Sequence, residues 1–336
     1  MFFQKLLVTL YQQLNGERSA MAPYYVLKGK KSGQTLQDIH YYKLTGYFAI
    51  APDLSKEDFQ AEVNSLVSQG WLHSFESPTV TDEGRRFVTQ FNTLFATNTM
   101  QPALLPFEKK ILLLSQFASN ALYHEKSYVP VVTDIEIQTN VKRWINECSS
   151  LSDAANLVKE SIQNFIQEEQ LTESQKTLFI FRLTGYHLAG LTWTQLAFTL
   201  NSRPIDCLFE HREVIAKFID YLKRTKHPLH RLVKVPSPLT ETASLTKNYL
   251  EKGYSLDQIV AVRNLKQSTI EDHYIEIATL DPDFEFHKIL SGENVQTIMR
   301  TRHSLNTYKL KLLRDQLPEF SYFQIRLALA LGERHS

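Results

Sequence analysis

Cysteine is almost missing from this chain of 336 residues: Cys148 and Cys207 are its only two. Two thiols are too few for a disulfide framework or a cysteine zinc site, and they fit a reducing compartment. Net charge is almost missing as well, at +1 with histidine neutral. No overall field draws the chain to a polyanion, so any nucleic-acid contact must come from local patches. No apolar run approaches the ~18 residues of a membrane span, and a cytoplasmic, nucleoid-associated location is expected. The opening MFFQKLLVTLYQQL is broken by Gln4 and Lys5 and has no small-residue cleavage site after it. It reads as an amphipathic helix with Phe3, Leu6, Leu7 and Leu10 on one face, not as a signal peptide. Glycine is scarce, at 11 residues, and apolar positions recur every three or four. The fold class expected is mainly α.

Catalytic patterns are also wanting. LKGKKSGQT has the composition of a phosphate-binding loop but not its order, and the upstream glycine is absent. It reads as a basic turn before a helix, with Lys28, Lys30 and Lys31 available to touch phosphates. His124 and His211 lack a second histidine four residues on, as a helical metal site needs. His227 and His230 fall in a proline-containing stretch and are expected to be exposed. No Gly-x-Ser-x-Gly elbow occurs, and Asp281 and Asp283 flank Pro282 in what reads as a turn. No cofactor, metal or catalytic residue is expected, and the chain is read as not an enzyme. A hydrolase or nuclease would show itself by metal-dependent turnover.

What is present falls into blocks. In residues 1–100, Thr35 can cap a helix, and Ser55 with Asp58 forms a capping pair for another that buries Phe59, Val63 and Leu66 and stops at Gly70. WLHSFESPTVTDEGRRFV then predicts a small β-hairpin and a helix from about Asp82, the layout of an N-terminal winged-helix-like domain. Residues 103–227 read as an all-helical domain. In it GLTWTQLAFTLNSRPIDCLFEHREVIAKFIDYLK outlines a helix-turn-helix or an ordinary helical hairpin. Thr192 serves as cap there and Pro204 lies in a first turn. Residues 228–239 read as a proline-containing linker. Around it lies the most basic stretch, Lys223, Arg224, Lys226, Arg231 and Lys234, with no acid between Tyr221 and Val235. Residues 240–336 read as a helix-turn-helix helical domain, with further helices at about 284–290, 293–303, 307–316 and 321–331.

The clearest unit is GYSLDQIVAVRNLKQSTIEDHYIEIA. Ser255 and Gln258 make a capping box, Leu256, Ile259 and Val260 face inward, and RNLK is the corner. Ser268 or Thr269 caps the second helix, which buries Ile270, Tyr274 and Ile277. In a DNA groove its first exposed residues would be Gln267, Ser268, Thr269, Asp272 and His273, of which Gln, Ser and Thr are competent readers. Glu271, Asp272 and Glu276 would repel phosphates, and helix 55–69 sets Lys56 against Glu57, Asp58 and Glu62. Affinity for DNA comes largely from neutralised phosphates, so two acidic candidate reading helices argue against a strong sequence-specific reader. Arg263, Lys266 and the basic stretch are the available donors. A structural or protein-binding role is the competing reading.

These residues carry a resemblance. The helix-turn-helix segment, ENVQTIM and LPEFSYFQIRLALAL, with Tyr322, Ile325, Arg326 and Ala330 in the pattern Tyr-x-x-Ile-Arg-x-x-x-Ala, resemble the helicase helix-turn-helix domain that ends many bacterial RecQ-type helicases. VLKGKKSGQTLQDIHYYKLTGYF is similar to the N-terminus of the YpbB family of Firmicutes, whose length and block order also agree. The gene of that family commonly lies beside one for a RecQ-type helicase. The resemblance therefore implies a separate polypeptide that lends an accessory module to a helicase, with DNA bound without strong sequence specificity and a single-strand-binding protein as a further candidate partner. It transfers no catalytic residues, and Tyr322 and Arg326 read as core and ion-pair positions. Motor motifs are missing. The alternative is a winged-helix or helix-turn-helix transcriptional regulator.

If the basic stretch neutralises phosphates, changing Lys223, Arg224, Lys226 and Arg231 to Ala weakens DNA binding and flattens its salt dependence. Each phosphate no longer neutralised takes about 0.9 off the slope of log K against log salt. Titration at several salt concentrations checks this, and an unchanged slope would sink the assignment.

Overall fold

The computed structural model describes residues 1–97, 103–233, 239–281, 283 and 289–332. Among them run α1 (Phe2–Leu14), α2 (Ala22–Lys28), α3 (Gly33–Tyr41), α4 (Lys56–Ser68), α5 (Asp82–Val88), α6 (Leu104–Leu122), α7 (Ile135–Glu147), α8 (Leu151–Glu168) and α9 (Glu173–Arg182). There follow α10 (Trp193–Thr199), α11 (Pro204–Arg224), α12 (Glu241–Glu251), α13 (Leu256–Arg263), α14 (Gln267–Leu280), α15 (Gly292–Leu305), α16 (Leu310–Gln316) and α17 (Tyr322–Gly332). Most starts are fixed by a hydroxyl or carboxylate that accepts from an otherwise unpaired first-turn N–H. Ser55 accepts from Asp58 N, Asp134 from Glu136 N and Ile137 N, and Thr192 and Ser255 form full capping boxes with Gln195 and Gln258. The expected cap Thr35 lies inside α3 instead, whose cap is Ser32. The expected helix at 284–290 falls mostly outside the described residues.

The chain divides into two compact units, each assembled from distant pieces. One comprises Met1–Leu7 and Gln90–Pro236, the other Val8–Thr89 and Ser237–Ser336. Val8–Thr89 of the sequence block 1–100 therefore falls in one folded unit with the block 240–336, where successive separate domains were expected. The joint is α3, which packs on α14 and α17 and buries Leu36, Ile39 and Tyr41.

In the first unit α6 packs on α8, and α11 packs on α6, α9 and α10. Phe165 sits at its centre, with ring centroids 5.2 Å from Phe179, 4.8 Å from Phe218 and 5.6 Å from Tyr221. The α10–α11 corner turns through Asn201 in the left-handed region, and Pro204 opens α11. Helix α11 buries Cys207, Phe209, Val214, Ile215 and Phe218, so it is a core helix. Burial works against the charge of Glu108 on α6, but His211, then Arg212 and Arg182, outweigh it and hold the carboxyl below its usual range. Its oxygens lie 3.5 Å from His211 Nε2 and 3.9 Å from Arg212 Nε.

The stretch read as a linker is partly built into this unit. Pro228–Leu232 forms a 3-10 turn whose Leu229 and Leu232 are buried. Lys110 Nζ donates to the Leu232 carbonyl at 2.8 Å. His227, expected to be exposed, is half-buried and accepts from Leu229 N, and burial lowers its pKa. Residues 234–238, with Lys234, lie outside the described residues.

The winged-helix expectation fails. Among the described residues of the first 97 there is no strand, only a single antiparallel bridge between Leu72 and Val80. Ser77–Pro78 leaves arms of about three residues, too short for a hairpin ladder, which runs to about five or six residues per strand. The segment is instead a tight loop between α4 and α5. His73 N donates to Thr79 O at 3.0 Å, Thr81 N to Trp71 O at 3.1 Å and Thr81 Oγ1 to Gly70 O at 2.6 Å. The Trp71 indole stacks on Phe87 at 3.7 Å between centroids. Gly84 lets α5 approach: a Cβ there would run into the Trp71 carbonyl oxygen. Gly84→Ala is expected to lose about 1–3 kcal/mol, the usual cost of forcing atoms into filled space. Thermal unfolding beside Glu83→Ala, an exposed neighbour expected to be neutral, checks this.

Candidate interface of the helix-turn-helix module

The second unit contains the helix-turn-helix that the sequence foreshadows. The Ser255–Gln258 box starts α13, Asn264 turns the corner at φ +48°, and α14 begins immediately beyond Lys266. The expected caps Ser268 and Thr269 lie inside α14, and Lys266 in the cap position makes no side-chain cap bond. Ile259, Ile270 and Tyr274 form the buried cluster between the two helices, flanked by Leu256, Val260 and Phe323.

Helix α14 is exposed only over its start, at Gln267 and Ser268. It is buried from His273 to Thr279 without a break, and a helix buried all round belongs to a core. Helices α12, α13, α17 and α3 surround it. The fate of its polar groups follows. Glu276, expected near phosphates, is buried and accepts from Thr240 N and Thr240 Oγ1, which tethers the start of α12. Burial raises its pKa, opposed by those two bonds and by the charge of Lys31. His273, expected to be exposed, is buried with Nδ1 2.8 Å from Thr246 Oγ1. Burial and then Arg263 lower its pKa, against the pull of Asp272. Asp272 accepts from Arg326 Nη2 at 2.6 Å, while Arg326 Nε donates to Gln37 Oε1 on α3 at 3.1 Å. Tyr41 OH donates to the Arg326 carbonyl at 3.3 Å. Gly33, at the start of α3, fits closely here, since a Cβ would stand 3.2 Å from Asp272 Oδ1 and 3.3 Å from Arg326 Nη2. The ion-pair expectation for Arg326 holds, whereas Tyr322, expected in the core, is 51 % exposed.

The remaining candidate DNA contacts are scattered. Arg263 Nη1 donates to the Thr242 carbonyl at 2.6 Å and to Thr246 Oγ1, so it fastens α13 to α12. Lys266, Gln267 and Ser268 are exposed and Thr269 is half-buried. Lys28 Nζ donates to Leu54 O at 3.3 Å, Lys30 lies 4.2 Å from the Tyr25 ring centroid, and Lys30 and Lys31 are exposed. These belong to the second unit. Lys223, Arg224, Lys226 and Arg231 belong to the first and are exposed. Arg224 there is paired with Glu169 and, at 3.6 Å, with Asp220.

Two clefts in the second unit escaped the sequence. One, of about 420 Å³, is lined by Glu17, Tyr42, Arg302 and Tyr308 among others. Its charges satisfy groups of the fold. Glu17 accepts from Tyr42 OH at 2.7 Å and Tyr308 N at 2.9 Å, and the Arg302 guanidinium lies 4.0 Å from the Tyr308 ring centroid. The other, of about 540 Å³, opens where α13, α14 and α17 begin. The signal for it was the LPEFSYFQIRLALAL motif, whose Tyr322 was read as core. Among the described residues no group of three or more His, Cys, Asp or Glu could hold a metal, and no helix is long and apolar enough to cross a membrane.

The raised pKa of Glu276 has a sign. A carboxyl raised in the folded state binds a proton more tightly there than in the unfolded chain. Its contribution is full below the ordinary glutamate pKa and is lost as pH rises through the raised value. Glu276→Gln keeps an acceptor for Thr240 N and removes the titration. The variant is expected to lose the decline in stability just above the usual glutamate range, as seen by urea unfolding at a series of pH values.

A family model described as a helix-turn-helix domain matches residues 242–329, the stretch from α12 into α17. The chain is similar to Protein YpbB of Bacillus subtilis (strain 168), at 27% identity over 347 residues, covering 98% of this chain and 97% of that protein. No solved structure matches it. What these likenesses establish is a mainly helical protein that carries a C-terminal helix-turn-helix domain and is similar to YpbB over nearly its whole length.

Proposed function

We propose that this chain is a non-catalytic adaptor that binds a RecQ-type DNA helicase and helps it engage DNA in repair, recombination or replication-fork maintenance. The observation that carries the reading is the burial of α14 from His273 to Thr279. A groove-reading helix presents its N-terminal residues to bases, and here only that first turn is open, since α3 and α17 pack against the helix. Gln267 and Ser268 remain exposed at its start, beside Glu271. Such a module suits protein contact and sequence-independent support better than operator recognition. The partner class is part of the proposal and rests on the resemblance of the C-terminal sequence to the terminal domain of RecQ-type helicases; the similarity to Protein YpbB is compatible with it. DNA contact falls to exposed cations outside α14, among them Lys223, Lys226 and Arg231 in the first unit and Lys30, Lys31 and Lys266 in the second. Each contact is weak, and tethering to a helicase raises the effective concentration of the next. A single-strand-binding protein is the second candidate partner, and the cytoplasmic nucleoid is the place of action. The regulator reading keeps one favourable observation, the exposed Gln267 and Ser268 at the start of a helix-turn-helix second helix.

A tagged full-length chain, recovered from its native host at moderate salt after nuclease treatment, is expected to bring a RecQ-type helicase with it in near-stoichiometric amount. Recovery without helicase, together with selection of one duplex motif from random DNA, would overturn the adaptor in favour of the regulator.

A further inference from the structure

The cleft where α13, α14 and α17 begin is built for a side chain of particular chemistry. Leu256, Ile289 and Phe323 form its apolar wall, all three at the edge of the Ile259–Ile270–Tyr274 cluster. Phe323 is itself held edge-on by Tyr274, 6.2 Å between centroids. The rim carries Glu271, Gln267, Ser321, Tyr322 and Gln324. Among the described residues Glu271 is the carboxylate of the lining, and no lysine or arginine lines the cleft. Gln267 donates one Nε2 hydrogen to Glu271 Oε1 at 2.8 Å, and its acceptor oxygen and second N–H are left for a ligand. Half-exposed Tyr322 adds an aromatic face.

We infer that this cleft receives an arginine side chain from a basic segment of a partner protein. The fit is one of charge and shape. An arginine stem covers apolar wall while its head stays polar. The planar guanidinium matches a carboxylate in a two-point bond and stacks on a tyrosine ring. About 540 Å³ is room for such a side chain and its neighbours. A phosphate fits worse, because it would meet Glu271 with no described cation in the lining to balance it. One feature does suit an anion: α14 starts without a side-chain cap. The starts of α13 and α17 are already satisfied, by Ser255 with Gln258 and by Ser321 with Gln324. The inference deepens the adaptor reading, on which it rests, by naming a surface for the partner and explaining an acid on the exposed turn of a helix-turn-helix.

The test is an amide-resolved NMR titration of the full-length chain with N-acetyl-arginine methylamide, and separately with inorganic phosphate. The arginine probe is expected to shift the signals of Leu256, Gln267, Glu271 and Tyr322–Gln324, and phosphate is not. Glu271→Gln, a same-shape change at a solvent-accessible position, is expected to weaken the arginine response about tenfold, and Tyr322→Ala about threefold. Shifts caused by phosphate but not arginine would overturn the inference and make the cleft an anion site. So would an arginine response undiminished in Glu271→Gln, or none in the parent chain. Any of these with helicase recovery intact removes only the cleft, whereas loss of helicase recovery removes the adaptor reading itself.

Discussion

The second unit depends on one constraint: from His273 to Thr279 α14 is taken out of water, and each polar group it carries inward must find a partner. A buried group left unpaired costs about 1–3 kcal/mol, and more when charged. Two such groups, His273 and Glu276, lie one turn apart, beside half-buried Asp272. Asp272 is matched by Arg326, His273 by Thr246, and Glu276 by the amide and hydroxyl of Thr240. These ties set where the surrounding helices sit. Thr240 starts α12 and Arg326 lies on α17, with its other nitrogen on Gln37 of α3. Two of the three acids that resemble repulsion from DNA, Asp272 and Glu276, thus tie α14 to α17 and to the start of α12.

The same constraint explains why the N-terminal block folds with the C-terminal one. The aligned helix-turn-helix stretch, residues 242–329, leaves a face of α14 and α17 that α3 covers. Tyr41 on α3 stacks on Tyr308 with 4.8 Å between centroids and a 4° tilt, and Tyr42 meets the same ring edge-on. Glu17 then binds both Tyr42 and the Tyr308 amide. Burial opposes its charge, yet hydrogen bonds from Thr307, Tyr42 and Tyr308 and the charge of Arg18 lower its pKa. The first unit sets one of its buried carboxylates, Glu108, beside His211 and Arg212.

Legibility followed the range of the physics. Helix starts at Ser55, Thr192 and Ser255 were readable because a cap and its helix lie within four residues. The inward positions Ile259, Ile270, Tyr274 and Ile277 were readable because a 3.6-residue period marks one face. The failures came where a second partner covers the other face. His273 and Glu276 are polar and lie off the apolar stripe, so alone they read as solvent-facing. The wing failed because Trp71–Thr81 has the residues of a hairpin but spends its backbone bonds on closing a tight loop. Of the basic stretch, Lys223, Lys226 and Arg231 are exposed as a phosphate-contacting role needs, while Pro228–Leu232 is packed structure.

By itself the sequence determined a mainly helical protein, the capped α13–α14 corner, and the lack of any net field toward DNA, because composition and short-range periodicity are local properties. The tertiary structure decided which helices are cores and which are surfaces. It joined Gln37 to Arg326 across 289 residues, buried Glu276 of α14, and opened a cleft where three helix starts meet. Those outcomes rest on desolvation and close packing between segments far apart in the chain, for which no local spacing is a guide.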